Sequence, residues 1–192
     1  VLLWYMSDES TSDIVIIDKT IPDKTYREHK GLTWILNHKK WIKNNGTPYN
    51  ASEDFIGLHP GDGEEYSIDS FPDSLVGKDL IYLADSYGIY EDDWYGKASE
   101  GDRSEIIYGG MTQEEVSLIS EAVQKGSSFI AEFNAFGSPT EEKAREGLYS
   151  TLNLEWSGWI GRYFDDLSVG GEVPGWATKN YENQYDEKWD FL

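Results

Sequence analysis

Asp13 to Asp18 reads DIVIID, four consecutive β-branched residues between two aspartates. A strand with one wet face alternates apolar and polar residues. This run does not alternate, so both of its faces must be covered. Leu80–Ala84 (LIYLA) and Ser127–Phe133 (SSFIAEF) are two further runs of this kind. Strands buried on both faces belong to parallel sheets, whose crossover helices lie above and below. The expected class is α/β: an open, mainly parallel sheet with helices on both faces, in three layers.

The segments between these runs carry helix grammar. Lys24 to Trp41 places Tyr26, Leu32, Trp34, Ile35, Leu36 and Trp41 at loosely helical spacing, and Asn44-Asn45-Gly46 stops it. Thr112 followed by Gln113-Glu114-Glu115 is a capping box, Val116 to Val123 is an apolar stripe, and Lys125-Gly126 closes the helix. Ser138-Pro139-Thr140-Glu141 predicts a second cap, with Pro139 at the first helical position and the helix running to about Ser150. Phe55–Leu58 is at best a short second strand inside a loop-rich stretch. Glu91 to Glu105 reads as a polar insertion. Leu152–Leu167, dense in Trp and Tyr, is expected on a sheet edge. Gly170 to Leu192 shows little periodicity, and Trp189 to Leu192 could begin a final strand. The chain reads as one domain, residues 1–192, with its final strand cut short. Within residues 1–12, the apolar Val1–Met6 is an extra strand or the remnant of a membrane anchor.

Composition narrows the function classes. The net charge is −20, from 36 acidic and 16 basic residues, which repels nucleic acid and anionic surfaces as a whole. There is no cysteine, so a thiolate nucleophile, a disulfide frame and Cys-based zinc are excluded. Eight Trp and 13 Tyr exceed what a disordered chain carries and offer stacking platforms for a sugar or a partner. His29 and His38 stand nine residues apart, which does not align them as a ligand pair. His59 lies in a loop, and Gly57, Gly61 and Gly63 do not form a nucleotide loop. No cofactor or metal set is expected. The sequons at Asn45 and Asn50 are short enough to arise by chance.

Ligands of such sheets bind beyond the carboxyl ends of the strands. The first strand ends at Asp18-Lys19-Thr20, the next long one at Asp85-Ser86-Tyr87-Gly88, and the last at Glu132-Phe133-Asn134-Ala135-Phe136. The candidate ligand-binding residues are therefore Asp18, Thr20, Asp85, Tyr87, Glu132, Asn134 and Phe136. Three carboxylates on one rim could act as acid and base, bind a ligand or cation, or merely cap the turns that follow. Ser138 follows a strand and precedes a helix, but Phe136 and Thr140 stand where a nucleophile elbow needs glycines.

The order Asp13–Thr20, Asp79–Tyr90, Gly109–Asn134 and Gly158–Leu167 resembles the class I glutamine amidotransferase-like superfamily of flavodoxin-like fold. It is most similar to branches that lack the catalytic residues. The resemblance implies a rim site and no glutaminase: Ala131-Glu132-Phe133-Asn134 stands where the cysteine elbow would be. It further implies a non-catalytic binding or sensory domain of a larger envelope-associated protein, extracytoplasmic and anchored outside this chain. A small-molecule or carbohydrate ligand and a homo-oligomer are expected, and no nucleic acid. The alternative is a carboxylate-dependent hydrolase of a carbohydrate or related small substrate, using Asp18, Asp85 and Glu132.

Overall fold

The computed structural model describes residues 2–96, 104–155, 157, 161–168 and 170–191. The chain opens with a short helix α1 (Leu2–Tyr5), then β1 (Ser10–Thr11), β2 (Ile14–Asp18), α2 (Arg27–His38) and β3 (Trp41–Ile42). Next come β4 (Ile56–Pro60), β5 (Tyr66–Ile68), β6 (Leu80–Asp85), β7 (Ile89–Tyr90), α3 (Glu91–Tyr95) and β8 (Ile106–Tyr108). The series closes with α4 (Gln113–Gln124), β9 (Ser128–Ala131), α5 (Glu142–Leu152) and α6 (Gly175–Tyr185).

Five strands form the main sheet in the order β5-β4-β2-β6-β9. The β4-β2, β2-β6 and β6-β9 pairs are parallel; β5 closes one edge as an antiparallel hairpin with β4. Numbered among the four parallel strands, the spatial order is second, first, third, fourth. The chain thus leaves β2 toward one side and returns to its other side for β6. The crevice beyond β2 and β6 is the switch point of the sheet.

The unalternating runs of β2 and β6 are explained by two cores, whereas β9, at the sheet edge, alternates and leaves Ser128 and Ile130 exposed. Ile14 and Ile16 of β2 face Ile21, Leu36 of α2, Tyr49 and Phe55. Ile17, Ile81 and Leu83 face Val116, Ile119 and Ala122 of α4 and Ala144 and Leu148 of α5. Successive residues of β2 and β6 thus point into different cores, both apolar. Gly57 lets β4 close on β2: a Cβ there would lie 2.1 Å from the Asp18 carbonyl oxygen. Only a residue without a side chain fits this approach.

Thr112 caps α4 as its sequence predicts. Its hydroxyl accepts from the Glu115 N–H at 3.3 Å, and Glu115 Oε2 accepts from the Thr112 N–H at 2.9 Å. The second cap is corrected. Helix α5 begins at Glu142 with Glu141 at its N-cap, so Pro139 lies outside it and Ser138 caps nothing. Thr140 is buried and consumed by a loop network, accepting from Met111 N–H at 3.2 Å and donating to the Ala135 carbonyl at 3.1 Å.

Other boundaries shift as well. The short strand expected at Phe55–Leu58 is β4, shifted to Ile56–Pro60, and Gly57 admits its close pairing with β2. Among the described residues, 2–6 supply no strand but hold α1 (Leu2–Tyr5); β1, paired with β3, follows at Ser10–Thr11. The polar insertion begins with α3 between the paired β7 and β8, and residues 97–103 lie outside the described ones.

The chain divides into two compact units, Val1–Leu154 and Glu155–Leu192. In the second, α6 (Gly175–Tyr185) forms within the stretch whose sequence shows little periodicity, and Trp189 to Phe191 is not a strand. Tyr181 of α6 centres an aromatic cluster, its ring 5.3 Å from Trp189 and 5.4 Å from Phe191. Residues 156, 158–160 and 192, on which the aromatic stretch and the last strand partly rest, lie outside the described residues. No described helix is long and apolar enough to cross a membrane.

Candidate functional site

The strand ends bring Asp18, Thr20, Asp85, Tyr87 and Asn134 into one hydrogen-bonded frame. Asp18, fully buried, ends β2 beside Asp85, which ends β6. Thr20 links them. Its N–H donates to Asp18 Oδ1 at 3.0 Å, and its hydroxyl donates to Asp85 Oδ1 at 2.8 Å. The same hydroxyl accepts from the Gly88 N–H at 2.9 Å. Asp85 takes two more donors: the Tyr87 N–H at 2.6 Å and Asn134 Nδ2 at 2.7 Å. Gly88 has φ +97°, the left-handed region that glycine adopts freely, and a Cβ there would lie 2.8 Å from the Tyr108 carbonyl oxygen.

His29 completes the frame, and its role was hidden in the sequence. It lies on the inner face of α2 with Thr33 and Leu36, at helical spacing. Its Nδ1 stands 2.7 Å from Asp18 Oδ2 and its Nε2 stands 2.7 Å from the Ala51 carbonyl. A carbonyl can only accept, so Nε2 carries a proton. The Nδ1–Oδ2 contact then holds one further proton between ring and carboxyl. Burial, the largest influence, pushes the Asp18 carboxyl above its ordinary 3.8, against the hydrogen bond to His29 that pulls it down. Both ring nitrogens are occupied, so His29 is not free to activate a nucleophile.

Lys19 was also missed. Its side chain is buried, and its Nζ reaches both Glu115 oxygens at 2.7 Å. The carboxylate that closes the α4 capping box is therefore also the counterion that makes a buried lysine tolerable. Behind the frame, the Ser86 hydroxyl lies 3.1 Å from that of Thr140, joining the β6 end to the loop before α5.

The third rim carboxylate stands apart. Glu132 is exposed and accepts from the Tyr82 hydroxyl, on the α2 side of the sheet. Burial first, then this bond, pushes the Tyr82 hydroxyl far above its ordinary value, so it stays a donor. Phe136 stacks on Tyr149 of α5 at 5.5 Å and is half-buried. Tyr87 is exposed, with its ring 5.4 Å from that of Tyr90. His59, expected in a loop, lies instead in β4 opposite Ser67 of β5; it pairs with Asp69 at 2.6 Å and stacks on Phe55.

The frame thus joins Asp18, Thr20, Asp85, Tyr87 and Asn134, while Glu132 and Phe136 flank it. Among the described residues, no group of three or more His, Asp or Glu side chains is placed to hold a metal ion. A cleft of about 430 Å³ opens at the other end of the sheet, lined by Asp13, Lys43, Asp54 and Lys78 among others, and none of the strand-end candidates lines it. No family model, curated protein or solved structure matches the chain. The fold class and the geometry of the strand ends therefore carry the functional reading.

Proposed function

We propose that the chain is a non-catalytic binding domain that presents the switch-point rim of its sheet to a small neutral ligand, such as a carbohydrate. In this reading it belongs to a larger envelope-associated protein and shares the flavodoxin-like, glutamine amidotransferase-like architecture. The strand order supports that likeness: second, first, third, fourth is the beginning of the flavodoxin-like order, whose ligands sit at the switch point.

One observation carries the reading. Each rim carboxylate is already engaged. Asp18 is buried against His29 and Thr20, Asp85 accepts three donors, and Glu132 accepts from Tyr82. A hydrolytic pair needs one carboxyl facing substrate and a second free to attack or to activate water. A binding rim needs rigid loops with exposed aromatic and polar tips, and the frame fixes the loops that carry Tyr87 and Asn134.

The test is an amide-resolved NMR titration with neutral mono- and oligosaccharides. Shifts should concentrate at residues 86–90 and 132–137, and Tyr87→Ala should weaken binding about tenfold with the fold intact. Shifts confined elsewhere would overturn the rim. Saccharide hydrolysis that disappears in Glu132→Gln would establish the carboxylate-dependent hydrolase instead.

A further inference from the structure

The charge of the chain is unevenly spread. Its first 43 residues carry seven of the 16 basic residues and only six of the 36 acidic ones. Between Arg27 and Lys43 there are five basic residues and one acidic, Glu28. This stretch includes α2, whose inner face is spent on His29, Thr33 and Leu36. Its outer face repeats every four residues as Lys30, Trp34 and His38, which lie on one line along a helix.

That face is apolar as well as basic. Trp34 is 64% exposed, Tyr5 70% and Met6 74%, and Ile35 and Trp41 are exposed beside them. The rings are fixed. Trp34 stacks on His38 at 4.9 Å with 5° between planes, and Trp4 also stacks on His38, at 6.3 Å. The Lys40 amine lies 5.0 Å from the Trp4 ring centre and donates to the carbonyls of Tyr5 and Ser7 at 3.2 and 2.6 Å. Its bonded partners are uncharged, so its positive charge is not cancelled. Lys30 and Lys39 are exposed and have no carboxylate partner among the described residues.

We propose that this face of α1, α2 and β3 docks on an anionic phospholipid surface. Exposed Trp and Tyr with polar edges, set among lysines, match the boundary between headgroups and acyl chains. Lysine is depleted from the centre of protein interfaces, where it must lose its water, whereas at a bilayer its amine stays among hydrated headgroups. The −20 of the whole chain does not forbid this. At physiological salt, charges are screened within about 8 Å, so the local basic face decides the contact.

The experiment uses the 192-residue chain, vesicle flotation and tryptophan emission. Vesicles of phosphatidylcholine alone are compared with vesicles that also contain phosphatidylglycerol, at about 0.02 M and about 0.5 M salt. The proposal expects flotation and a blue shift with the anionic vesicles only, weakened at high salt. Trp34→Ala, and separately the pair Lys30→Glu and Lys39→Glu, should each weaken binding about tenfold or more, with unchanged far-UV circular dichroism. No binding to either vesicle would overturn it, as would equal binding to both. Self-association that is lost in Trp34→Ala, without vesicle binding, would assign the face to a second copy of the chain and overturn it too.

Discussion

The Asp18–His29 pair shows how a buried proton can belong to the fold. Two acceptor-type contacts, one to Ala51 and one to Asp18, leave the ring one proton short unless the carboxyl or the ring supplies a second. Asp18→Asn tests this directly. The amide Oδ1 can accept from the Thr20 N–H while its NH₂ donates to Nδ1, so the variant needs no shared proton. A carboxyl whose folded pKa is raised binds its proton more tightly in the fold. The stability it contributes is present below the ordinary 3.8 and is lost as pH rises through the folded value. Urea titrations should therefore show the difference between the two proteins moving in favour of Asp18→Asn as pH rises from about 4. A difference that moves the other way would mean that Asp18 is an ordinary ion-paired carboxylate. The place of Asp18 at the end of the first strand followed from DIVIID, whereas its full burial did not, since the sequence put it on an open rim. His29 was not legible: its place on the buried face with Thr33 and Leu36 shows only in the folded helix, and the sequence gives no sign that a strand end would meet that face.

At the level of elements, local grammar was read correctly where one short segment decides the outcome, and misread where a distant segment does. The α4 capping box needs only Thr112 and Glu115, three residues apart. Its second role, as counterion to Lys19, joins positions 96 residues apart and left no local trace. Thr112→Ala should cost about 1 kcal/mol, the loss of a cap. Glu115→Ala should cost about 3 kcal/mol, since it also strands a buried ammonium. Equal costs in urea unfolding would show that Lys19 finds water instead. The misplaced cap before α5 failed for the converse reason. Ser-Pro-Thr-Glu has the composition of a helix start, but Ser86, Met111 and Ala135 claim Thr140, and the helix waits until Glu142. Helix α6 carries Gly, Thr and Asn in its sequence, so its weak apolar period concealed it.

For the whole molecule, the parallel sheet was the most legible feature, because the β2 and β6 runs need cover on both faces; the third run, β9, is an edge strand that leaves Ser128 and Ile130 exposed. The strand ends were legible as a place but not as a chemistry. The sequence puts three carboxylates at one rim; whether they face a ligand or each other depends on Thr20, Asn134 and His29, whose side-chain directions are set by tertiary packing. The two buried carboxylates, Asp18 and Asp85, are committed to the fold. Catalytic groups behave oppositely, since they are kept at a cost to stability and their removal often stabilises. Asp85 accepts from Thr20, Tyr87 and Asn134 at 2.8, 2.6 and 2.7 Å, so its removal leaves three donors without their acceptor. The most direct measurement is the unfolding free energy of Asp85→Ala in urea at neutral pH. A loss of about 3 kcal/mol is predicted from the stranded donors; stability that is unchanged or raised would contradict the account and return Asp85 to the list of catalytic groups.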